Sequence, residues 1–426
     1  MTGEGTCATK TSARETSLES PIRVFAIFFH PRTSVSAFGG AEKRFIETLK
    51  ILCEKRRLNV FVLEAAPTLL QESFPNLRKV VVSLGVHGKG WLGTYAEWTL
   101  WVLKTVFKGA SLFARTKPSV ILIPNNTLPN LVSSRIFSLL FRVPTCVVVH
   151  HIDAPFSTST SRNRSLYNSY RSISYSTLVS LSKTVATYLT LAFIKKAKAI
   201  IAVSNFTAET LTSLGVPENK IRVSGNAVNS DFIRGVKPSY DEKAFDAAFV
   251  GRIAKEKGIF DLLKVWKNVV QVRKNAKLLL IGTGLEYPLT KERISHLGLE
   301  NRVLLRGRCD DAQLYGLLKS SRLLAFPSLF EGWGMAVAEA LACGLPVVAY
   351  DIPALREVFG KCGSVFLVPP KNVESMTSTV LDILSLKENE WSRLSCCSKR
   401  YAKQFTWEKV VEKDFESLKP FSRKDR

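Results

Sequence analysis

The sequence predicts an α/β chain of two doubly wound domains facing across a cleft. Three observations carry that expectation. Short β-branched runs alternate with longer amphipathic stretches, the pattern of βαβ units and parallel sheets. The alternation lapses between residues 231 and 246, where Gly235 and Pro238 break the periodicity, and then restarts. A chain of 426 residues is long enough for two such units, each with its own core.

Residues 1–20 are rich in Thr, Ser and Glu with no apolar stretch, so a disordered tail is expected there rather than a signal peptide. The first domain, residues 21–230, opens on a strand at Ile22–Phe29, then a loop ending in Gly39-Gly40 and a helix from about Ala41 to Arg57. Further strands are expected at Asn59–Leu63, Val80–Ser83, Val120–Ile123, Thr145–Val149, Ala199–Val203 and Ile221–Val223. Helical patterns stand out at Thr94–Arg115, Leu166–Lys196 and Phe206–Leu214. Residues 231–246 read as the linker. The second domain, residues 247–400, runs strand Ala247–Val250, helix Phe260–Val272, strands Lys277–Ile281, Val303–Leu305 and Arg322–Phe326, helix Met335–Cys343 and strand Pro346–Ala349. Residues 401–426 hold a C-terminal helix, amphipathic and basic, that is a candidate to cross back to the first domain. Ser176–Ile194 comes nearest to a membrane span, but Lys183 and many Ser/Thr make it a buried or interfacial helix instead.

Composition narrows the function classes. An apolar fraction of 46% with 23% charged residues excludes a disordered chain. The net charge is +24, and it is uneven: residues 1–230 hold 28 basic and 12 acidic residues, residues 231–426 hold 32 and 24. That field favours anionic partners such as nucleotide phosphates or lipid headgroups; a merely solvated surface is the plain alternative. No nucleic-acid-binding motif is recognisable, and nucleic acid is not an expected partner. The eight cysteines form no CxxC pair and no zinc-spaced cluster, which suggests a reducing compartment and no structural metal.

Two segments carry chemistry. Ser328-Leu-Phe-Glu-Gly-Trp-Gly-Met-Ala-Val-Ala-Glu339 leaves an apolar strand and opens a helix. Glu331 lies in the loop, and Gly332 and Gly334 let the backbone approach a ligand closely. Free amides at the helix start suit phosphate or a polarised oxygen, and Glu339 lies one to two turns inside, where a carboxylate can hold a diol. A turn with a capping glutamate would explain one Glu and one Gly, but not the whole arrangement. The second segment, Phe249-Val-Gly-Arg-Ile-Ala-Lys-Glu-Lys-Gly258, passes Gly251 and Arg252 and reaches Lys257 before a helix. Arg252 offers a planar fork and Lys257 a point charge to a departing diphosphate, with no metal needed. Solvated loop cations are the ordinary alternative, and the first segment weighs against it.

Together these residues resemble the family-4 retaining glycosyltransferases of the GT-B fold, also described as glycosyl transferases group 1. The resemblance covers residues 22–420 and adds the run Glu339-Ala-Leu-Ala-Cys-Gly-Leu-Pro-Val-Val348. It implies two Rossmann-like domains, the first for the acceptor and the second for a nucleotide diphosphate sugar donor, with no cofactor and no metal. It implies that Glu331 contacts the donor sugar, Glu339 the ribose, and Arg252 and Lys257 the diphosphate. Gly332, Trp333, Gly334 and Met335 would give backbone contacts, Gly282 would belong to a Gly-x-Gly turn near the donor, and Arg308 would lie where the base is read. Gly39 and Gly40 are similar to the loop that closes over the donor phosphates; alone they are a helix-entry turn. The family has a histidine near the reacting sugar, and here the strand end offers two, His150 and His151. Neighbours on a strand face opposite ways, and the reading leans to His150. Trp333 and Met335-Ala336 depart from the usual Phe and Leu-Pro, which puts sugar selection in question.

The implied reaction is transfer of a hexose to a hydroxyl by same-face attack, the leaving diphosphate taking the proton. By family frequency the hexose is mannose from GDP-mannose first, then glucose or another hexose from a UDP donor. Trp91, Trp98 and Trp101 share one helical arc beside Lys104, Lys108 and Arg115, which suits a helix at an anionic membrane surface. On that reading the acceptor is a glycan, lipid-linked, or a phospholipid, and the enzyme is cytoplasmic, peripheral on the cytoplasmic membrane face. Tryptophans packed on the sheet, with a soluble acceptor, are the competing reading. A phosphorylase would need a pyridoxal-phosphate lysine site that no motif supports. A basic membrane-binding module on a decayed scaffold would be expected to lack Arg252, Lys257, Glu331 or Glu339, and all four are present.

Overall fold

The computed structural model describes residues 22–28, 39–54, 58–64, 78–81, 90–152, 166–171, 176–240 and 243–422. Its strands form two wholly parallel sheets. The first contains β1 (Ile22–Phe28), β2 (Leu58–Glu64), β3 (Arg78–Val81), β4 (Val120–Ile123), β5 (Thr145–Val149), β6 (Ala199–Ala202) and β7 (Ile221–Val223). Their order is β3-β2-β1-β4-β5-β6-β7. The second contains β8 (Phe245–Val250), β9 (Leu278–Ile281), β10 (Val303–Gly307), β11 (Ser321–Phe326), β12 (Val347–Tyr350) and β13 (Val365–Val368), in the order β10-β9-β8-β11-β12-β13. In each sheet the winding reverses beside the first strand, between β1 and β4 and between β8 and β11. Such switch points open a crevice at the carboxyl ends of the strands. Helices cover both faces, so the central strands read as unbroken apolar runs; Val24 through Phe28 and Leu278 through Leu280 are fully buried.

The helices of the first unit are α1 (Gly40–Glu54), α2 (Gly90–Thr116), α3 (Leu128–Phe141), α4 (Leu166–Arg171), α5 (Thr177–Lys196), α6 (Asn205–Ser213) and α7 (Ser230–Gly235). Those of the second are α8 (Ile259–Val272), α9 (Tyr287–His296), α10 (Asp311–Lys319), α11 (Met335–Ala342), α12 (Pro353–Phe359), α13 (Val373–Ser385), α14 (Glu388–Ala402) and α15 (Trp407–Leu418). The last helix packs on α1 and β6 of the first sheet. There the Asp414 carboxylate meets the Arg44 guanidinium at 2.7 Å, with only 6% and 2% of the side chains exposed. Arg44 also donates to Ser224 Oγ at 2.7 Å, so the buried charge is paired and hydrogen-bonded.

Several expectations need correcting. The segment 231–246 is not one irregular linker: α7 occupies its start, Asn229 capping it by accepting from Phe232 N at 3.0 Å, and β8 begins at Phe245. The pattern over Leu166–Lys196 is divided between α4 and α5. The aromatic arc of α2 faces the sheet, not a membrane: Trp101 is fully buried with Phe25, Phe61 and Phe113, and Trp98 packs on the same cluster. The side chain of Trp91 lies outside the described residues. α5 is not a buried helix, since Leu178, Leu181 and Tyr188 point outward. The tail 1–20 also lies outside the described residues.

Candidate active site

Strand ends from both sheets and the starts of two helices, α1 and α11, converge where the sheets face each other. From the second unit, β8 leads into Gly251 and Arg252. Gly251 N donates to Ile281 O at 3.0 Å and Ile253 N to Thr283 O at 3.0 Å, so the turns after β8 and β9 are stitched together. Gly282 is required here: its φ is +143°, and a Cβ would run into the carbonyl oxygen of Gly251. Arg252 is mostly exposed and reaches Glu256 at 3.1 Å, leaving its fork at the cleft surface. Arg308 donates from Nε to Thr283 Oγ1 at 2.9 Å, so its side chain braces the Gly282–Gly284 turn.

Lys257 stands at the centre. Its ammonium meets Glu331 Oε1 at 2.6 Å and Phe330 O at 3.3 Å, and both charged side chains are about one-seventh exposed (15% and 14%). The loop is held in place by Leu329 N donating to Glu256 O at 2.9 Å. The two residues assigned from sequence to diphosphate and sugar are thus each other's partner. Gly334 begins α11 with φ +100°, and a Cβ there would press on Leu355 Cδ2 at 2.5 Å and Phe359 Cε2 at 3.0 Å. The Trp333 side chain is a packing group: its indole is 5% exposed and lies edge-on to Phe359 and Phe405 at 5.4 and 5.0 Å, consistent with a backbone role in the loop.

The first unit closes on this loop. Gly332 packs on the carbonyl oxygen of His150, too close to admit a Cβ, with His151 Cβ beside it. Of the histidine pair, His151 is exposed, and its carbonyl accepts from Asn126 Nδ2 at 2.9 Å. The His150 ring is half-buried, with Nε2 at 3.0 Å from Pro124 O. A carbonyl only accepts, so Nε2 carries the proton. Burial, with the nearby Arg44 charge, lowers the His150 pKa to about 3, and the ring is neutral at neutral pH. Gly39 and Gly40 open α1, Lys43 N donating back to Gly39 O at 3.0 Å. A Cβ on Gly40 would lie 2.9 Å from Met335 Cγ, so the amino ends of α1 and α11 meet across the cleft. Two helix starts aimed at one space give a positive end suited to an anion.

Sequence reasoning missed a charged cluster beside it. Lys43, on α1, crosses the cleft to Glu339 Oε1 at 2.7 Å and Asp311 Oδ1 at 2.8 Å. Tyr315 donates its hydroxyl to the same Glu339 oxygen at 3.1 Å. Burial opposes the lysine's charge, yet Glu339 and Asp311 outweigh it and hold the pKa above the ordinary lysine value. Burial and Glu339 raise Tyr315 as well, so the phenol keeps its proton. The carboxylate read as a ribose ligand is therefore engaged by the opposite domain. Glu357 makes a second bridge, accepting from Asn205 N at 2.8 Å and Phe206 N at 2.7 Å at the start of α6. Partners 296 residues apart, like Lys43 and Glu339, leave no local spacing to read. Among the described residues no group of three or more His, Cys, Asp and Glu could hold a metal ion. Asp153, two residues after the histidine pair, and Arg162 and Arg164, which add to the positive charge of the first unit, lie outside the described residues.

Two facing parallel sheets of this strand order, with helix starts and cations turned to one cleft, define the GT-B class. The solved structure of Alr3699/HepE from Anabaena, in complex with UDP and glucose, superposes with a TM-score of 0.69 at 21% identity, covering 93% of this chain and 99% of that one. Residues 38–232 match the model described as Glycosyltransferase Family 4, and residues 231–395 the model described as Glycosyl transferases group 1. End to end these account for most of the chain, which belongs to the group-1, family-4 glycosyltransferases. Among curated relatives, an uncharacterized glycosyltransferase of Methanocaldococcus jannaschii is 30% identical over 44% of this chain and 50% of its own length. The O-antigen chain mannosyltransferase B of Escherichia coli is 28% identical over 52% of this chain and 61% of its own. The chain spans about half the length of the curated relatives it matches.

Proposed function

We propose that this protein is a retaining glycosyltransferase that moves a hexose, mannose first, from a nucleoside diphosphate sugar to the hydroxyl of a glycan or lipid-linked acceptor. The observation that carries the reading is the Lys257–Glu331 pair at 2.6 Å, beside Arg252 and the facing starts of α1 and α11. A donor entering this space exchanges the pair for its own groups. Lys257 and Arg252 take the diphosphate oxygens, and Glu331 accepts from hydroxyls of the sugar. The amides from Gly334 onward add fixed dipoles that need no reorganisation as charge develops. The bond from the anomeric carbon to the diphosphate oxygen breaks, that oxygen takes the acceptor's proton, and the acceptor oxygen bonds to the same face of the sugar. His150, neutral at neutral pH, lines the approach without competing for the proton. The similarity to the E. coli mannosyltransferase supports mannose, and the UDP in the Anabaena structure supports a nucleotide donor. A cytoplasmic protein, peripheral on the cytoplasmic membrane face, accords with the basic first unit.

The test is slow donor hydrolysis across UDP-, GDP- and ADP-sugars with EDTA present, comparing wild type with Glu331→Ala. One nucleotide should be released by wild type, and the variant should lose at least about tenfold, as for loss of an interaction worth over 1.4 kcal/mol in the transition state. The anomeric configuration of a transferred sugar then decides retention. Equal rates in the two proteins, or an inverted product, would overturn the assignment.

A further inference from the structure

The first unit carries an apolar face that no described part of the chain covers. α5 is turned inside out. Ser180 and Thr187 point into the protein and are buried, while Leu178, Leu181, Val185, Tyr188 and Leu189 are 46–62% exposed. These positions recur at three- and four-residue steps and form one stripe. Among the described residues α5 is the one helix long and apolar enough to cross a membrane. It does not do so freely, because Leu191 and Ile194 on its inner side belong to a core with Ile123 and Val147. Its neighbours extend the face: α3 packs between α2 and α5, with Leu139 and Leu140 exposed at its end and Phe107 of α2 81% exposed.

Charge indicates the occupant. α3, α4 and α5 contain no acidic residue, and residues 90–200 hold 13 Lys and Arg against two Asp and Glu. Lys108 of α2, Arg142 at the C-terminal cap of α3 and Lys196 at the end of α5 are exposed. An apolar stripe bordered by cations suits an interface with acyl chains below and anionic headgroups at the rim. A second copy of this chain fits poorly, since a two-fold contact would bring the same cations together. We infer that the outer face of α5, with Phe107 of α2 and the exposed end of α3, docks the first unit on an anionic lipid bilayer, α5 lying in the plane of the interface. The inference differs from the tryptophan arc read from sequence, which is core; it rests on the peripheral placement proposed above, gives that placement a surface, and does not depend on the sugar-transfer chemistry.

The test is co-sedimentation with vesicles of phosphatidylcholine alone and of phosphatidylcholine with phosphatidylglycerol. The full chain should bind the anionic vesicles and lose several-fold on raising the salt from about 0.1 to 0.5 M. The exposed-site variant Leu181→Glu/Val185→Glu should bind about tenfold less. Val272→Glu, at a site on the second unit that is more exposed still, should bind like wild type. Tyr188→Trp gives an independent signal: fluorescence quenched by brominated lipid beyond that of wild type. Absence of binding to anionic vesicles, wild-type binding by the double variant, or no added quenching at position 188 overturns the inference. So does a lipid-free dimer that the same double substitution dissolves.

Discussion

Replacing Lys43 with Met tests whether the two units are fastened through Glu339. The methionine keeps the stem and removes the ammonium. Lys43 is 13% exposed and Glu339 6%, so the carboxylate left behind has only the Tyr315 hydroxyl to hold it. Breaking a buried pair from one side costs about 3–5 kcal/mol. Asp311 is 38% exposed and regains water, which places the expected loss near the lower limit, about 3 kcal/mol. Adding Glu339→Gln removes the stranded charge, so the double variant should recover about 1–2 kcal/mol relative to the sum of the single changes. The assay is the first urea transition of each of the four proteins. The pH dependence has a definite sign. A lysine whose folded pKa is raised gives its full contribution below the unfolded value, about 10.4, and loses it only as pH climbs through the raised one. The Lys43→Met deficit should therefore be flat from pH 6 to 9 (a window well below about 10.4). A deficit under about 0.5 kcal/mol, or strict additivity in the double variant, would refute the fastening.

Asp414→Ala should cost about 3–5 kcal/mol in urea unfolding, because Arg44 is left charged and 2% exposed; Asp414→Asn should cost less. Gly282→Ala should abolish nucleotide binding in calorimetry and lower the melting temperature, since the new methyl meets the Gly251 carbonyl. His150 refuses a proton that the unfolded chain accepts, so stability should fall as pH drops from about 6.5 toward 3, by up to about 1.4 kcal/mol per pH unit. His150→Gln should flatten that slope in thermal melts across the same range, and an unchanged slope would show that another group is responsible.

Much of this was legible because the chemistry is local. Gly251, Arg252 and Lys257 lie within one strand-loop-helix passage, and Glu331 to Glu339 within another, so turn residues and spacing reveal both. Long-range pairing is not legible that way: nothing near Lys43 announces Asp311 or Glu339. The α2 arc is legible as a stripe, but the sequence leaves its side open between sheet and membrane, since a tryptophan stripe at helical spacing looks the same whether it meets a sheet or a lipid. Of the two readings open for α5, buried or interfacial, the structure removes the first: its Ser and Thr residues turn inward and leave Leu and Val outside, which composition alone does not reveal. α7 was hidden because six residues give too little periodicity to outweigh Gly235 and Pro238.

The return of α15 to the first sheet has a consequence for how the chain is made. Everything the first sheet supplies has been synthesised by Val223, yet the wall that covers α1 and β6 begins only at Trp407. At roughly 5–20 residues per second, the ribosome takes about 10–40 s to bridge that interval. Throughout it Arg44 waits without Asp414, beside a seam of Leu49, Leu52 and Ile201 that Leu418 has yet to close. The first-made half of this protein is finished last, and a nascent chain stalled before Trp407 presents an open core to whatever chaperone reaches it.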